Sequence, residues 1–169
     1  MLYAVGDIHG EWEMLEDLLA KIPHGPEDRF VFMGDYVDRG PDSRRVVDRL
    51  VALARERECV FLLGNHESMF LDFLGWRGRA WFGGDAFLVN GGARTLASYG
   101  FFDREDPDPK RFEVPPEHAE FYRNLRPPHR EGVYLFVHAG VGREWLDESD
   151  PDYVLRRVRI EDLLWDRLS

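Results

Sequence analysis

The chain has 169 residues and a mass of 19.8 kDa, and 44% of its residues are hydrophobic and 32% charged. This is the composition of one globular domain with its own core, and no apolar stretch approaches the length of about 18 residues that a membrane span requires. The formal net charge of −10 argues against a nucleic-acid backbone as partner, and the single cysteine, Cys59, excludes an intrachain disulfide. Because the first predicted strand begins at residue 2, we expect no signal peptide and a cytoplasmic location.

Strand and helix alternate in the first part of the chain. Four short apolar runs bounded by turn residues are typical of buried strands: residues 2–5, 30–33, 60–63 and 134–137. Apolar residues at helical spacing predict helices at three places: Glu11 to Lys21, Pro41 to about Glu56, and Ser68 to Leu74. The resulting βαβαβ order predicts parallel strands joined by right-handed crossovers, and so an α/β fold.

The second part of the chain is less regular. The spacing predicts a helix from Ala86 to Tyr99 that is interrupted at Asn90-Gly91-Gly92, and another from Glu117 to Leu125. Residues 103–116 are rich in Pro and Asp and are predicted to be a loop, and residues 145–169 to combine turns with a short amphipathic segment. The histidines outside the predicted strand ends lie beside prolines or charges and are predicted to be on the surface: His24, His118 and His129.

Each of the four predicted strands ends in a residue with metal-ligand chemistry. The strings that follow the strands are Gly6-Asp7-Ile8-His9-Gly10, Gly34-Asp35-Tyr36-Val37-Asp38-Arg39-Gly40, Gly64-Asn65-His66-Glu67 and His138-Ala139-Gly140. In open α/β sheets, sites form where the carboxyl ends of strands open into loops. The four strings therefore predict one common site.

The donor types in these strings predict a metal centre. Asp7 and His9 lie two apart on an extended backbone and project to the same side, and Asp35 has two oxygens with which to bridge two ions. Asn65 adds a neutral oxygen and His138 an imidazole nitrogen. Mixed oxygen and nitrogen ligands without thiolate suit Mn²⁺, Fe or Zn²⁺, so we expect two divalent metal ions, with Mn²⁺ as the first choice. Two ions about 3.5–4 Å apart clamp the attacking and leaving oxygens of an in-line displacement.

Three further residues favour phosphoryl transfer. Arg39 offers a bidentate fork that suits phosphate. His66 is placed to protonate a leaving alcohol, and Asp38 to orient His66 and favour its charged form. The negative net charge does not oppose a phosphorylated substrate, because two bound cations reverse the local sign of the site.

These strings resemble the calcineurin-like metallophosphoesterases, and among them the phosphoprotein phosphatase family, which includes Ser/Thr protein phosphatases and symmetrical diadenosine tetraphosphatases. The resemblance implies a four-layer α/β fold in which two mixed β-sheets form a sandwich flanked by helices, within one catalytic domain over residues 1–169. It also implies a role for each residue of the site. The first metal is held by Asp7, His9 and Asp35, and the second by Asp35, Asn65 and His138. The general acid is His66 with Asp38 as its partner, and the phosphate ligands are Arg39 and Asn65.

The last part of the chain fits the family less completely. Residues 90–96 and 163–167 are similar to strings of bacterial members, and by this resemblance Arg167 holds the phosphate from the side opposite Arg39. Members of the family supply one more histidine from a later Gly-His-Thr turn, whereas this sequence has no histidine after His138. We therefore expect a chain that lacks the C-terminal strands of the second sheet. A weakened second metal site, or one completed by a neighbouring chain, is the alternative.

Three functions follow from these observations. The first is a metal-dependent phosphatase that hydrolyses phosphoserine, phosphothreonine or related monoesters by attack of a hydroxide bridging the metals. The second keeps the chemistry but acts on a dinucleoside polyphosphate, as a symmetrical bis(5′-nucleosyl)-tetraphosphatase. Its support is the aromatic and arginine segment from Trp76 to Phe82, although such aromatics more often pack in a core. The third is a non-catalytic binding module, suggested by the missing histidine and opposed by the intact Asp38, Arg39 and His66.

Overall fold

A computed structural model describes residues 1–76, 83–102, 107–145 and 147–166. Its strands are β1 (Leu2–Val5), β2 (Arg29–Phe32), β3 (Cys59–Phe61), β4 (Pro128–Glu131) and β5 (Tyr134–Val137). Its α-helices are α1 (Trp12–Lys21), α2 (Ser43–Glu56), α3 (Asn65–Phe73), α4 (Gly83–Phe87), α5 (Ala93–Ser98), α6 (Pro116–Arg123), α7 (Pro151–Arg157) and α8 (Ile160–Trp165). None of the helices in these ranges is long and apolar enough to cross a membrane.

The strands form two sheets. β1, β2 and β3 are parallel neighbours in that order, so their carboxyl ends open at one edge, as predicted. β4 and β5 form an antiparallel pair, of which only β5 was predicted, because the Pro-His-Arg-Glu sequence of β4 has no apolar run. β4 forms because the chain reverses at Gly132, whose φ of 60° suits a tight turn. The predicted α/β fold with two sheets and flanking helices is confirmed.

A continuous hydrophobic core fixes the parallel sheet against the helices. Phe30, Phe32 and Phe61 stack across β2 and β3, with ring centroids 5.8 and 5.3 Å apart. α2 packs against this core with four fully buried side chains: Val46, Val47, Leu50 and Leu53. Each such side chain contributes about 1.5–3 kcal/mol when fully buried. The core therefore holds rigidly the strands whose ends carry the polar strings.

The interrupted helix near residue 90 occurs as predicted. α4 continues into a π-helical turn over Leu88–Gly92, and α5 begins directly after it. Gly91 has a φ of 105°, and a Cβ at this position would lie 2.9 Å from the backbone nitrogen of Arg39. The absence of a side chain at Gly91 thus lets the turn lie directly on the loop that follows β2.

The prediction of a surface position is wrong for His118, which is only 3% exposed. Its Nε2 donates to Asp48 on α2 over 2.8 Å, and its Nδ1 accepts from the Tyr99 hydroxyl over 2.8 Å. Burial lowers the pKa of His118. The buried face of α6 includes this histidine because a neutral imidazole, unlike a charged group, costs little to bury once both its nitrogens are hydrogen-bonded.

Candidate active site

The loops after β1 and β2 are joined by backbone hydrogen bonds, and this brings the first two polar strings together. The N–H groups of Ile8 and His9 both donate to the carbonyl of Asp35, over 3.0 and 2.8 Å. Further along, the N–H of Gly40 donates to the carbonyl of His9 over 2.8 Å. The loops of residues 7–9 and 35–40 therefore lie against each other at the carboxyl edge of the sheet.

Asp35 lies at the centre of two groups of potential metal ligands. Its Oδ2 is 3.6 Å from Nε2 of His9, and its Oδ1 is 3.5 Å from Nε2 of His138. Asp7 follows β1, and its Oδ2 lies 3.9 Å from Nε2 of His9. Asn65 lies in the first turn of α3, and its Oδ1 is 3.0 Å from Nε2 of His138. Donor atoms of Asp7, Asp35 and His138 all lie within 4.8 Å of one another. A carboxylate whose two oxygens face different imidazoles is suited to bridge two neighbouring cations.

Both imidazoles turn a lone pair into the pocket. Nδ1 of His9 donates to the carbonyl of Val37 over 2.9 Å, and Nδ1 of His138 donates to the carbonyl of Met33 over 2.8 Å. Because a carbonyl can only accept, each Nδ1 carries the proton and each Nε2 is left with a lone pair. Nε2 of His138 also lies 3.0 Å from Oδ1 of Asn65, so an imidazole nitrogen and an amide oxygen face each other in the pocket. The donor set therefore fits divalent metal ions, and the backbone carbonyls fix the ring orientations as in known metal sites.

A second, buried pair lies beside these donors. Nδ1 of His66 donates to Oδ2 of Asp38 over 2.7 Å, and both side chains are almost fully buried. The other oxygen of Asp38 accepts from the hydroxyl of Thr95 over 2.6 Å. Burial raises the pKa of Asp38, while the hydrogen bonds from His66 and Thr95 oppose this rise. The pair thus holds the imidazole of His66 with its Nε2 towards the pocket.

Arg39 connects the two parts of the pocket. Its Nη1 donates to Nε2 of His9 over 2.8 Å, and its Nη2 donates to Nε2 of His66 over 3.0 Å. The sequence predicted that this guanidinium faces a phosphate, and here its fork meets two imidazole lone pairs instead. A phosphate with two oxygens in the same positions would satisfy the same donors.

Glu67 supports the loop that carries these residues. Its Oε2 accepts from the N–H groups of Asp35 and Gly64 over 2.7 and 3.1 Å, and its Oε1 from those of Tyr36 and Val37 over 2.7 and 3.2 Å. Burial, followed by the Asp35 charge, raises the pKa of Glu67 to about 8, whereas the four N–H donors favour its ionised form. The same region contains the non-glycine residues with a left-handed backbone: His9, Asp35, Asp38 and Arg39. Backbone strain of this kind clusters at functional sites.

A polar cavity of about 270 Å³ opens above the donor groups. Its floor includes Asp7, Asp35, Arg39, Asn65 and His138, and one wall is formed by the end of α8 through Leu164, Trp165 and Asp166. Asp166 fixes this wall by accepting from the N–H of Gly142 over 2.8 Å. Arg167, expected to hold phosphate, lies outside the described residues.

The aromatic segment suggested as a nucleotide wall is described only at Trp76, since residues 77–82 lie outside the described ranges. The guanidinium of Arg123 lies over the ring of Trp76, with 4.6 Å between its central carbon and the ring centroid. This contact engages one face of the indole within the protein.

The structure brings together all the predicted site residues that it describes, from four loops after parallel or hairpin strands. It also adds two residues to which the sequence assigned no role, Thr95 and Glu67. Thr95 belongs to the 90–96 string and Glu67 ends the Gly64–Glu67 string, so both lie within sequence motifs of the site. Their partners lie 57 and about 30 residues away in sequence, which is why spacing gave no indication of their contacts.

Known proteins are similar to this chain in sequence. An asymmetrical bis(5′-nucleosyl)-tetraphosphatase, PrpE, from Oceanobacillus iheyensis is 28% identical over 160 residues, which cover 86% of this chain and 58% of that protein. Serine/threonine-protein phosphatase 2 from Escherichia coli is 37% identical over 110 residues, covering 63% of this chain and 43% of that protein. The chain thus spans about half the length of these relatives.

Solved structures and a family match agree on the fold. The crystal structure of a cold-active protein tyrosine phosphatase superposes with a TM-score of 0.62 at 20% identity, over 95% of this chain and 46% of that one. Residues 2–156 match the calcineurin-like phosphoesterase family. Since that match includes all four strand-end strings and the donors they bring to the Asp35 carboxylate, the chain belongs to the calcineurin-like phosphoesterase family.

Proposed function

We propose that this protein is a metal-dependent phosphatase that hydrolyses phosphomonoesters of the phosphoserine and phosphothreonine type. The observation that carries the proposal is the position of Asp35, whose two oxygens lie 3.5–3.6 Å from the Nε2 atoms of His9 and His138. A relative named as a serine/threonine-protein phosphatase gives independent support. We also propose that the chain is one catalytic domain, because its core cluster extends from Val5 in β1 to Leu164 in α8.

In this proposal the ions are held in two overlapping groups. Asp7, His9 and Asp35 hold one ion, and Asp35, Asn65 and His138 hold the other, with Mn²⁺ as the preferred metal. Divalent ions supply an activated water and neutralise the charge of the phosphate. The lone pairs of His9 and His138 are suited to this role because both Nδ1 atoms are already committed to backbone carbonyls.

The other side chains act on the substrate. Arg39 holds two oxygens of the phosphate with the fork that now meets two imidazoles, and Asn65 adds one amide donor. Arg167 holds the phosphate from the opposite side. His66 gives a proton from Nε2 to the leaving alcohol, and Asp38 stabilises the imidazolium through Nδ1.

Turnover of synthetic phosphomonoesters with Mn²⁺ tests these roles. We expect Asp7→Asn to lose both activity and bound metal. His66→Asn should slow the hydrolysis of phenyl phosphate, whose phenol is a poor leaving group, by about 10²–10⁴-fold. Asp17→Asn, on the exposed face of α1, is the matched control and should behave like the wild type. Unchanged turnover in the Asp7 or the His66 variant would refute the assigned role.

The second candidate substrate is a dinucleoside polyphosphate, favoured by the relative named as a bis(5′-nucleosyl)-tetraphosphatase. Competition between diadenosine tetraphosphate and a phosphoserine peptide decides between the two substrates. The products then identify the cleavage, since symmetrical hydrolysis gives two ADP and asymmetrical hydrolysis gives ATP and AMP. The relative carries the asymmetrical name, whereas the sequence resemblance suggested the symmetrical type.

The remaining parts of the proposal concern partners and location. A phosphorylated protein is the expected partner, and the net charge of −10 opposes a nucleic-acid one. We keep a cytoplasmic location as part of the proposal, to be tested by fractionation of the host cells.

A further inference from the structure

The hydroxyl of Thr95 forms the far end of a buried hydrogen-bonded chain that leads into the pocket. Thr95 Oγ1 donates to Oδ1 of Asp38 over 2.6 Å, and Oδ2 of Asp38 accepts from Nδ1 of His66 over 2.7 Å. Thr95, Asp38 and His66 are each at most 1% exposed. The carboxylate therefore has no solvent to replace a lost donor, and each of its oxygens depends on one side chain.

The backbone of Asp38 also contacts this hydroxyl. The N–H of Asp38 donates to Thr95 Oγ1 over 2.8 Å and, less closely, to Ser43 Oγ over 3.2 Å, and Ser43 Oγ lies 3.1 Å from Thr95 Oγ1. Since Thr95 uses its own proton on the Asp38 carboxylate, Ser43 is the donor in this last contact. Asp38 has a φ of 71°, which a non-glycine residue holds only when its surroundings fix it. Thr95 thus fixes the carboxylate of Asp38 and shares with Ser43 the support of its strained backbone.

The fold delivers Thr95 to this position through the π-helical turn. Gly91 in that turn lies against the backbone of Arg39, and α5 begins directly afterwards with Thr95 in its first turn. One short segment, residues 91–95, therefore contacts two adjacent residues of the site loop, Asp38 and Arg39. These contacts join α5 and the π-helical turn to the site loop.

We propose that Thr95 is a positioning residue for proton transfer, which acts through Asp38 to hold the His66 imidazole towards the leaving group. The inference rests on the proposed function, because it assigns Thr95 to the general acid of that reaction. Its consequence is selective. Loss of the Thr95 donor slows hydrolysis where the leaving oxygen needs a proton and has little effect where it does not.

The test compares Thr95→Val, which keeps the shape and removes the donor, with Thr95→Ser, which keeps the donor. Turnover of phenyl phosphate and of a phosphoserine peptide should fall about 10- to 100-fold in the Val variant, and that of 2,4-dinitrophenyl phosphate less than about 3-fold. The Ser variant should recover at least half of the lost rate on the poor leaving groups. Ser98→Ala is the matched control, since Ser98 lies on the same helix and bonds Thr95 only through its backbone carbonyl.

A second readout needs neither metal nor substrate. The Nδ1 proton of His66 should give a low-field NMR signal that His66→Asn removes, that Thr95→Val broadens or abolishes, and that Thr95→Ser restores. Urea unfolding of each variant establishes that the fold is intact. A uniform loss on all three substrates, no loss on any, or an unchanged His66 signal in the Val variant would each overturn the inference. A wild type without Mn²⁺-stimulated turnover would instead refute the proposed function, and the NMR comparison would still test Thr95.

Discussion

Replacing Glu67 with Gln tests how the site loop is held. The carboxylate accepts four backbone N–H groups, two on each oxygen, from Asp35, Tyr36, Val37 and Gly64. In Glu67→Gln one oxygen remains and keeps its two donors, while the new NH₂ group faces the other two. Two buried backbone donors are then left without an acceptor.

The expected loss follows from these two orphaned groups. A buried donor without a partner costs about 1–3 kcal/mol, so the variant should lose about 2–6 kcal/mol of unfolding free energy. Because Asp35 follows the displaced backbone, turnover of phosphomonoesters and metal content should both fall. The expected loss of unfolding free energy is a large part of the total stability of a domain of this size, about 5–15 kcal/mol.

Urea unfolding at about pH 7, followed by circular dichroism, measures the loss directly. Glu120→Gln is the matched control, because Glu120 lies exposed on α6 and its substitution should change stability by less than about 0.5 kcal/mol. If the two variants unfold at the same urea concentration, the account of Glu67 is wrong.

Two further predictions concern the turn beside the site and a buried histidine. Gly91→Ala should lower turnover and raise KM by displacing Arg39, since the new Cβ would lie 2.9 Å from the Arg39 nitrogen. Gly100→Ala is the control, because Gly100 has a similar φ of 89° and no atom near its Cβ, so this variant should lose stability but not activity. Equal activity in both variants would contradict the contact between Gly91 and Arg39. For His118, the lowered pKa means that the unfolded chain binds the proton first, so stability should fall as pH drops below about 6.5. His118→Gln should show a shallower fall in urea midpoint between about pH 7.5 and 5, and parallel curves would refute this.

The parts of the site that could be predicted from sequence are those encoded locally. An apolar run followed by Gly and then Asp or Asn indicates both a strand and a candidate ligand after it, and Asp7, Asp35 and Asn65 were predicted in this way. The parallel order of β1, β2 and β3 then required their ends to meet. The hairpin strand β4 had no such indication, because its stability comes from pairing with β5 and not from its own polar sequence.

The supporting contacts could not be predicted because they depend on packing between distant segments. Thr95 reaches Asp38 across 57 residues, and His118 reaches Asp48 across 70. A threonine in a helix or a histidine between charges is compatible with many environments. The hydrogen-bond partners of Thr95 and His118 are decided only when α5 and α6 pack against α2.

At Arg39 the left-handed backbone lowers the stability of the fold while it places a side chain of the site. A side chain in this conformation costs about 1–2 kcal/mol relative to glycine, and Arg39 is exposed, so the core gains nothing from it. Selection for heat resistance alone would therefore favour a glycine at residue 39, and this substitution would remove the guanidinium that we propose holds the phosphate. Consensus or thermostability engineering of this chain should hold that residue constant, together with the others whose unfavourable torsions form the pocket.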